Sequence, residues 1–75
     1  MNPKYLPTDL NGKLVHVAEE CAEVTNVICK IQRFGIDFQH PFTGVRNREK
    51  LQEEITDLRG ALVRLVSELM PEYDI

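Results

Sequence analysis

The sequence predicts an all-α protein, an antiparallel two-helix hairpin that assembles into a four-helix bundle by oligomerisation. Three observations predict it. Two stretches carry apolar residues in alternating steps of four and three, the spacing of one helical face. A segment rich in Gly and Pro turn signals separates them. Further apolar residues (Val27, Ala61, Val63 and Val66) fall off both stripes and need cover that a lone hairpin cannot give.

The 75 residues make a single domain, 1–75. Residues 1–9 read as an extended arm carrying Pro3 and Pro7, and Thr8 or Asp9 can cap the first helix. That helix is predicted over 10–34 from the stripe Leu10, Leu14, Val17, Cys21, Val24, Ile28, Ile31, which makes Cys21 a core residue. Gly35 is its natural stop. Residues 35–46 form a loop, marked by His40-Pro41 and Thr43-Gly44. Asn47 is expected to cap the second helix, 47–70, whose stripe is Leu51, Ile55, Leu58, Leu62, Leu65, Leu69 and which Pro71 ends. One or two of Phe34, Phe38 and Phe42 are read as plugs for the bundle end, with stacking on a nucleobase as the alternative.

Size sets the next constraint. A chain this short buries only about 60% of the surface its unfolded form exposes, so metal, disulfides or partner chains usually complete such folds. Cys21 and Cys29 stand two helical turns apart in one predicted helix and cannot bridge within it. The N-terminal residues carry no apolar run of a secretory signal, so two unpaired cysteines fit a reducing cytoplasm. No apolar stretch approaches the roughly 20 residues that span a bilayer. Twelve acidic residues against nine basic ones, a net charge of −3, disfavour a nucleic-acid polymer as partner. A small phosphorylated ligand remains compatible if a divalent cation stands between it and the protein.

The informative residues flank the stripes. His16, Glu20, Glu23 and Lys30 form one row; Asn47, Lys50, Glu54, Asp57 and Arg64 form another. Antiparallel pairing brings Glu20 and Glu23 to the height of Glu54 and Asp57. Four converging carboxylates repel unless a hard divalent cation neutralises them, and Mg²⁺ favours such an all-oxygen shell, with Mn²⁺ as an alternative. An ordinary solvated helix face is the competing account of either pair. His16 is read as a packed or half-exposed histidine and left out of the ligand set. Several other chemistries are excluded by the absence of Glu-x-x-His, His-Glu-x-x-His, Cys-x-x-Cys and a Gly-x-x-x-x-Gly-Lys-Ser/Thr loop.

The stretch Val17-Ala-Glu-Glu-Cys-Ala-Glu-Val24, continuing to Lys30 and Arg33-Phe34-Gly35, resembles the first metal-binding helix of the MazG-like nucleoside triphosphate pyrophosphohydrolases. Asn47-Arg-Glu-Lys-Leu-Gln-Glu-Glu-Ile-Thr-Asp-Leu58 resembles the second, and the likeness spans roughly residues 14–66. It is most like the short phage and bacterial forms. The resemblance implies Glu20, Glu23, Glu54 and Asp57 as Mg²⁺ ligands and catalytic residues. It also implies hydrolysis of a nucleoside triphosphate between the α and β phosphates, giving the monophosphate and pyrophosphate.

Lys30, Arg33, Asn47 and Lys50 are the candidate substrate contacts, with surface charge and helix capping as their alternatives. Glu19 and Glu53 are outside candidates to take a proton from the attacking water. The interval between the two motifs is long, so the loop after Gly35 is expected to shape a pocket of its own. Longer relatives carry further helices, and here a homodimer or homotetramer is expected to supply their contacts. Two rival readings stand beside this one: a non-catalytic helical hairpin that mediates assembly or binding, and the related phosphoribosyl-ATP pyrophosphohydrolase.

Overall fold

A computed structural model of the chain describes residues 6–73; the first residues of the expected N-terminal arm lie outside this range. Two helices make up the fold, α1 over Leu10–Phe34 and α2 over Asn47–Leu69, packed antiparallel. Among the described residues there is no strand, only an isolated antiparallel bridge between Gln39 and Arg46. No helix among them is long and apolar enough to cross a membrane.

Local chemistry sets the ends. Asp9 is the N-cap of α1, and its Oδ1 accepts from the Gly12 N–H at 3.0 Å. A side chain at Gly12 would have no room, because its Cβ would lie 2.6 Å from Asp9 Oδ1 and 2.8 Å from Pro7 Cβ. At the other end the Gly35 N–H closes on Ile31 O at 2.7 Å, with Gly35 at φ 96° and ψ 156°. That conformation is essentially reserved for glycine.

The loop is ordered by its own hydrogen bonds. His40 N donates to Val45 O at 2.9 Å, Asn47 N to Phe38 O at 3.0 Å and Arg48 N to Ile36 O at 2.8 Å. Arg48 grips both Asp37 oxygens, at 2.9 and 3.2 Å, and its guanidinium holds that carboxyl below the usual range. Far from the loop, Lys13 Nζ meets Glu68 Oε1 at 2.8 Å and ties the open ends together.

Three expectations need correction. Asn47 is the first residue of α2 rather than its cap; Arg46 holds the cap position without a side-chain bond. The Asn47 Nδ2 instead donates to Gly35 O at 2.9 Å, so the side chain pins the end of α1 to the start of α2. The seam is also rotated from the predicted stripes. On α1 it runs through Lys13, His16, Glu20, Val24, Val27 and Ile31, and on α2 through Leu51, Glu54, Leu58, Ala61 and Leu65. Val27 and Ala61, expected off the seam, are the buried apolar residues among those described, and Cys21 is exposed rather than core.

The rotation has a physical reason. Each helix carries an apolar arc wider than one neighbour can cover. The hairpin closes over one edge of each arc, where Val27 and Ala61 are buried. Leu14, Ile28, Ile55 and Leu69 then face outward, at 47%, 42%, 50% and 54% exposure. The aromatic plug is likewise incomplete. Phe34 and Phe38 stack at 5.0 Å yet stay exposed, and Phe42 is 92% exposed.

Replacing Gly35 by Ala should lower the unfolding free energy by about 1–3 kcal/mol, the cost of that backbone region for a residue with a Cβ. The surrounding space is open, with nothing within 4 Å of the added atom, so the loss reports backbone strain alone. Urea denaturation of the variant measures it.

Candidate functional site

Glu20 and Glu23 lie one turn apart on α1, and Glu54 faces them from the middle of α2. One carboxylate oxygen from each comes within 4.8 Å of the others. Glu20 and Glu54 are not beside the seam, as the row pattern predicts, but in it: their side chains keep only 9% and 4% of their exposure. Each leaves its Oε2 buried without a hydrogen-bond partner among the described residues. A buried carboxylate oxygen left without a hydrogen bond costs about 1–3 kcal/mol, so two of them in one seam are costly to a chain that gains nothing from them.

Positive charge reaches the cluster from one side. Lys50 Nζ lies 3.0 Å from Glu54 Oε1 and 3.7 Å from Glu53 Oε2. On the far side His16 Nε2 is 3.5 Å from Glu20 Oε1, without hydrogen-bond geometry. The carboxyls therefore compete for protons. Glu23 is held above its ordinary value of 4.5, chiefly by sharing a proton with Glu54 and by that group's charge. Burial pushes Glu54 upward, but Lys50 and the proton shared from Glu23 outweigh it and leave Glu54 lowered.

Asp57 stands apart from Glu20 and Glu23. It forms a second trio with Glu53 and Glu54, again within 4.8 Å, so Glu54 is the residue common to both groups. The four predicted ligands thus fall into two overlapping sets, and Glu53, an outside candidate in the sequence, belongs to one of them.

Next to the acids lies a cavity of about 240 Å³ between the loop and both helices. Lys30, Asn47 and Lys50 line it together with Glu53, and Val27 and Val45 supply its apolar wall. Arg33, by contrast, is exposed on the last turn of α1 and is not among the lining residues. The loop contributes His40 and Thr43, which the sequence presents only as turn residues. His40 Nδ1 accepts from the Phe42 and Thr43 N–H groups at 3.1 and 3.2 Å. The neutral ring therefore carries its proton on Nε2, the nitrogen left for a ligand. The available signal is His40-Pro41 inside an unusually long connection, where a turn needs no imidazole.

Comparison of the chain with protein-family models, with curated proteins and with solved structures gives no match. The functional reading accordingly stands on the residues and their geometry.

The coupled carboxyls predict a pH signature. Glu23 has a folded value above its unfolded one, so its contribution to stability is complete below pH 4.5 and is lost as pH rises through the raised value. Glu54 has the opposite sign: its contribution is present above pH 4.5 and lost as pH falls through the lowered value. Glu23→Gln supplies a permanent donor to Glu54 and should abolish the first loss while keeping the second. Thermal melts across the acid range, with EDTA present, track both limbs.

Proposed function

We propose that the chain is a Mg²⁺-dependent nucleoside triphosphate pyrophosphohydrolase of the MazG-like type, working as a homo-oligomer. The observation that carries the reading is the convergence of Glu20, Glu23 and Glu54, with Glu20 and Glu54 each keeping a buried oxygen without a partner. Hard oxygen donors held at that spacing fit a small divalent cation better than any apolar or hydrogen-bonding alternative. Glu20, Glu23 and Glu54 would hold it, with Asp57 joining through Glu54. Bound there, Mg²⁺ neutralises the carboxylates and makes nearby water more acidic.

The remaining roles belong to the chain's own groups. Lys30 and Lys50 present ammonium groups to one cavity and would hold the triphosphate there. Lys50 also touches Glu54, so phosphate and carboxylate compete for the same ammonium. Glu53 lines the cavity and belongs to the second acidic trio, which puts a carboxylate where it could accept the proton of the attacking water. Attack at the α-phosphorus would release pyrophosphate and leave a nucleoside monophosphate. Asn47, tied to Gly35, acts in this account by fixing the cavity wall rather than by gripping substrate.

The oligomer is supported by the outward apolar residues. The molecule measures 41 × 24 × 15 Å, and its thinnest dimension is little more than one helix with side chains, about 10–12 Å. Leu14, Ile28, Ile55 and Leu69 therefore have no second layer to pack on within the described residues of one chain. A second hairpin gives them one and completes a four-helix bundle.

Incubation with a panel of ribo- and deoxynucleoside triphosphates should yield pyrophosphate with Mg²⁺ and none with EDTA. Glu54→Gln should end the release and weaken Mg²⁺ binding by more than the roughly 10–100-fold that loss of an outer partner costs. Turnover retained in the folded variant would remove Glu54 from the site.

A further inference from the structure

The cavity between the loop and the helices offers a ligand more than its two lysines. His40 lines it from the loop, together with Thr43 and Val45. Four hydrogen bonds fix this histidine. Its N–H donates to Val45 O at 2.9 Å, and its carbonyl accepts from the Gly44 N–H at 2.9 Å. Its Nδ1 accepts from the Phe42 and Thr43 N–H groups. Pro41 restricts the backbone directly after it. A ring held in this way is oriented before any ligand arrives, which spares the binding step that cost.

The turn itself does not require a ring. An Asn or Asp side chain accepts from backbone N–H groups just after it as ordinary turn chemistry. What histidine adds is a second nitrogen, Nε2, which carries the proton when Nδ1 accepts.

The other donors on the wall narrow what that nitrogen suits. Lys50 is occupied by Glu54 at 3.0 Å and by Glu53 at 3.7 Å, and Asn47 Nδ2 donates to Gly35 O. Three lining donors meet no protein acceptor among the described residues. They are the Lys30 ammonium, the His40 Nε2–H and the hydroxyl of Thr43, whose oxygen accepts from the Val45 N–H. The one lining carboxylate, Glu53, is already turned to Lys50. Surplus donors, one of them cationic, fit an acceptor-rich anion. The volume of about 240 Å³ falls below the roughly 300–1,000 Å³ that encloses a whole small ligand, so the cavity takes part of a nucleotide.

We propose that His40 is a phosphate-binding residue, donating through Nε2 to a terminal phosphate of the substrate beside the Lys30 ammonium. The inference rests on the pyrophosphohydrolase reading above and adds to it a contact from the loop.

Inorganic pyrophosphate with Mg²⁺ is the probe, titrated into the wild-type chain by calorimetry and by ¹H–¹⁵N spectroscopy of the imidazole rings. The chain has two histidines, so the ring signals are those of His16 and His40. The expected result is binding that shifts the His40 Nε2–H and protects it from exchange with water. His40→Asn keeps an acceptor for the Phe42 and Thr43 N–H groups but lacks the Nε2–H. It should melt like the wild type and bind pyrophosphate about tenfold or more weakly, the worth of a hydrogen bond to a charged group. Pyrophosphate bound with the His40 ring signals unmoved, or bound equally well by His40→Asn, would overturn the proposal and leave the pyrophosphohydrolase reading standing. Pyrophosphate that does not bind also overturns it, and if the nucleoside triphosphate panel is silent as well the reading falls with it. The ring spectrum needs no variant, so a loop defect in His40→Asn cannot obscure the outcome.

Discussion

Glu20 and Glu54 face each other across the seam between two helices, and much of the molecule can be understood as accommodating them. At a separation within 4.8 Å, two like charges repel by at least about 3 kcal/mol at an effective dielectric constant of about 20. Lys50 answers Glu54 from a half-exposed position, so its attraction is partly screened. Glu20 has His16 beside it, at 3.5 Å and without a hydrogen bond. Glu23 responds by holding a proton more tightly. A seam built for stability alone would place Leu or Ile at these heights. Under the proposed function their acidity serves a bound cation rather than packing.

The same constraint shapes the surroundings. With carboxylates in the middle of the seam, close packing is left to Val27 on α1 and Ala61 on α2. The bulkier residues turn outward, where a second hairpin can meet them. At the loop end, Asn47 ties the two helices together and Arg48 locks onto Asp37, so the walls of the cavity are held by hydrogen bonds rather than by core packing. Cavity and carboxylates consequently share Lys50 and Glu53 as a common border. A ligand bridging the two would touch both.

Much of this is legible in the residues. Asp9, Gly35 and the apolar periodicity define both helices, with α1 at its predicted bounds and α2 one residue shorter at its end. The Glu-x-x-Glu and Glu-x-x-Asp spacings bring Glu20, Glu23 and Glu54 together, because antiparallel pairing puts equivalent heights side by side. The orientation of each helix about its axis is not legible. Steps of four and three define an arc, and which edge of that arc becomes the contact depends on the partner's small residues. For that reason periodicity puts Cys21 in the core, against the structure, while His16, read as a packed or half-exposed histidine, is buried. The loop is harder still. His40 acquires its place in the cavity from backbone bonds made by Phe42 and Thr43, which no spacing rule encodes.

Thermal melting of the full chain in Mg²⁺ against EDTA, beside a Glu20→Gln/Glu54→Gln double variant, tests most directly whether a divalent cation is what these buried carboxylates are for. A cation that binds only the folded state must raise its stability with concentration. The account predicts a melting temperature that climbs with Mg²⁺ in the wild type and stays flat in the double variant, which with EDTA should melt at least as high as the wild type. A wild type indifferent to Mg²⁺, or a double variant that still responds to it, would contradict the account.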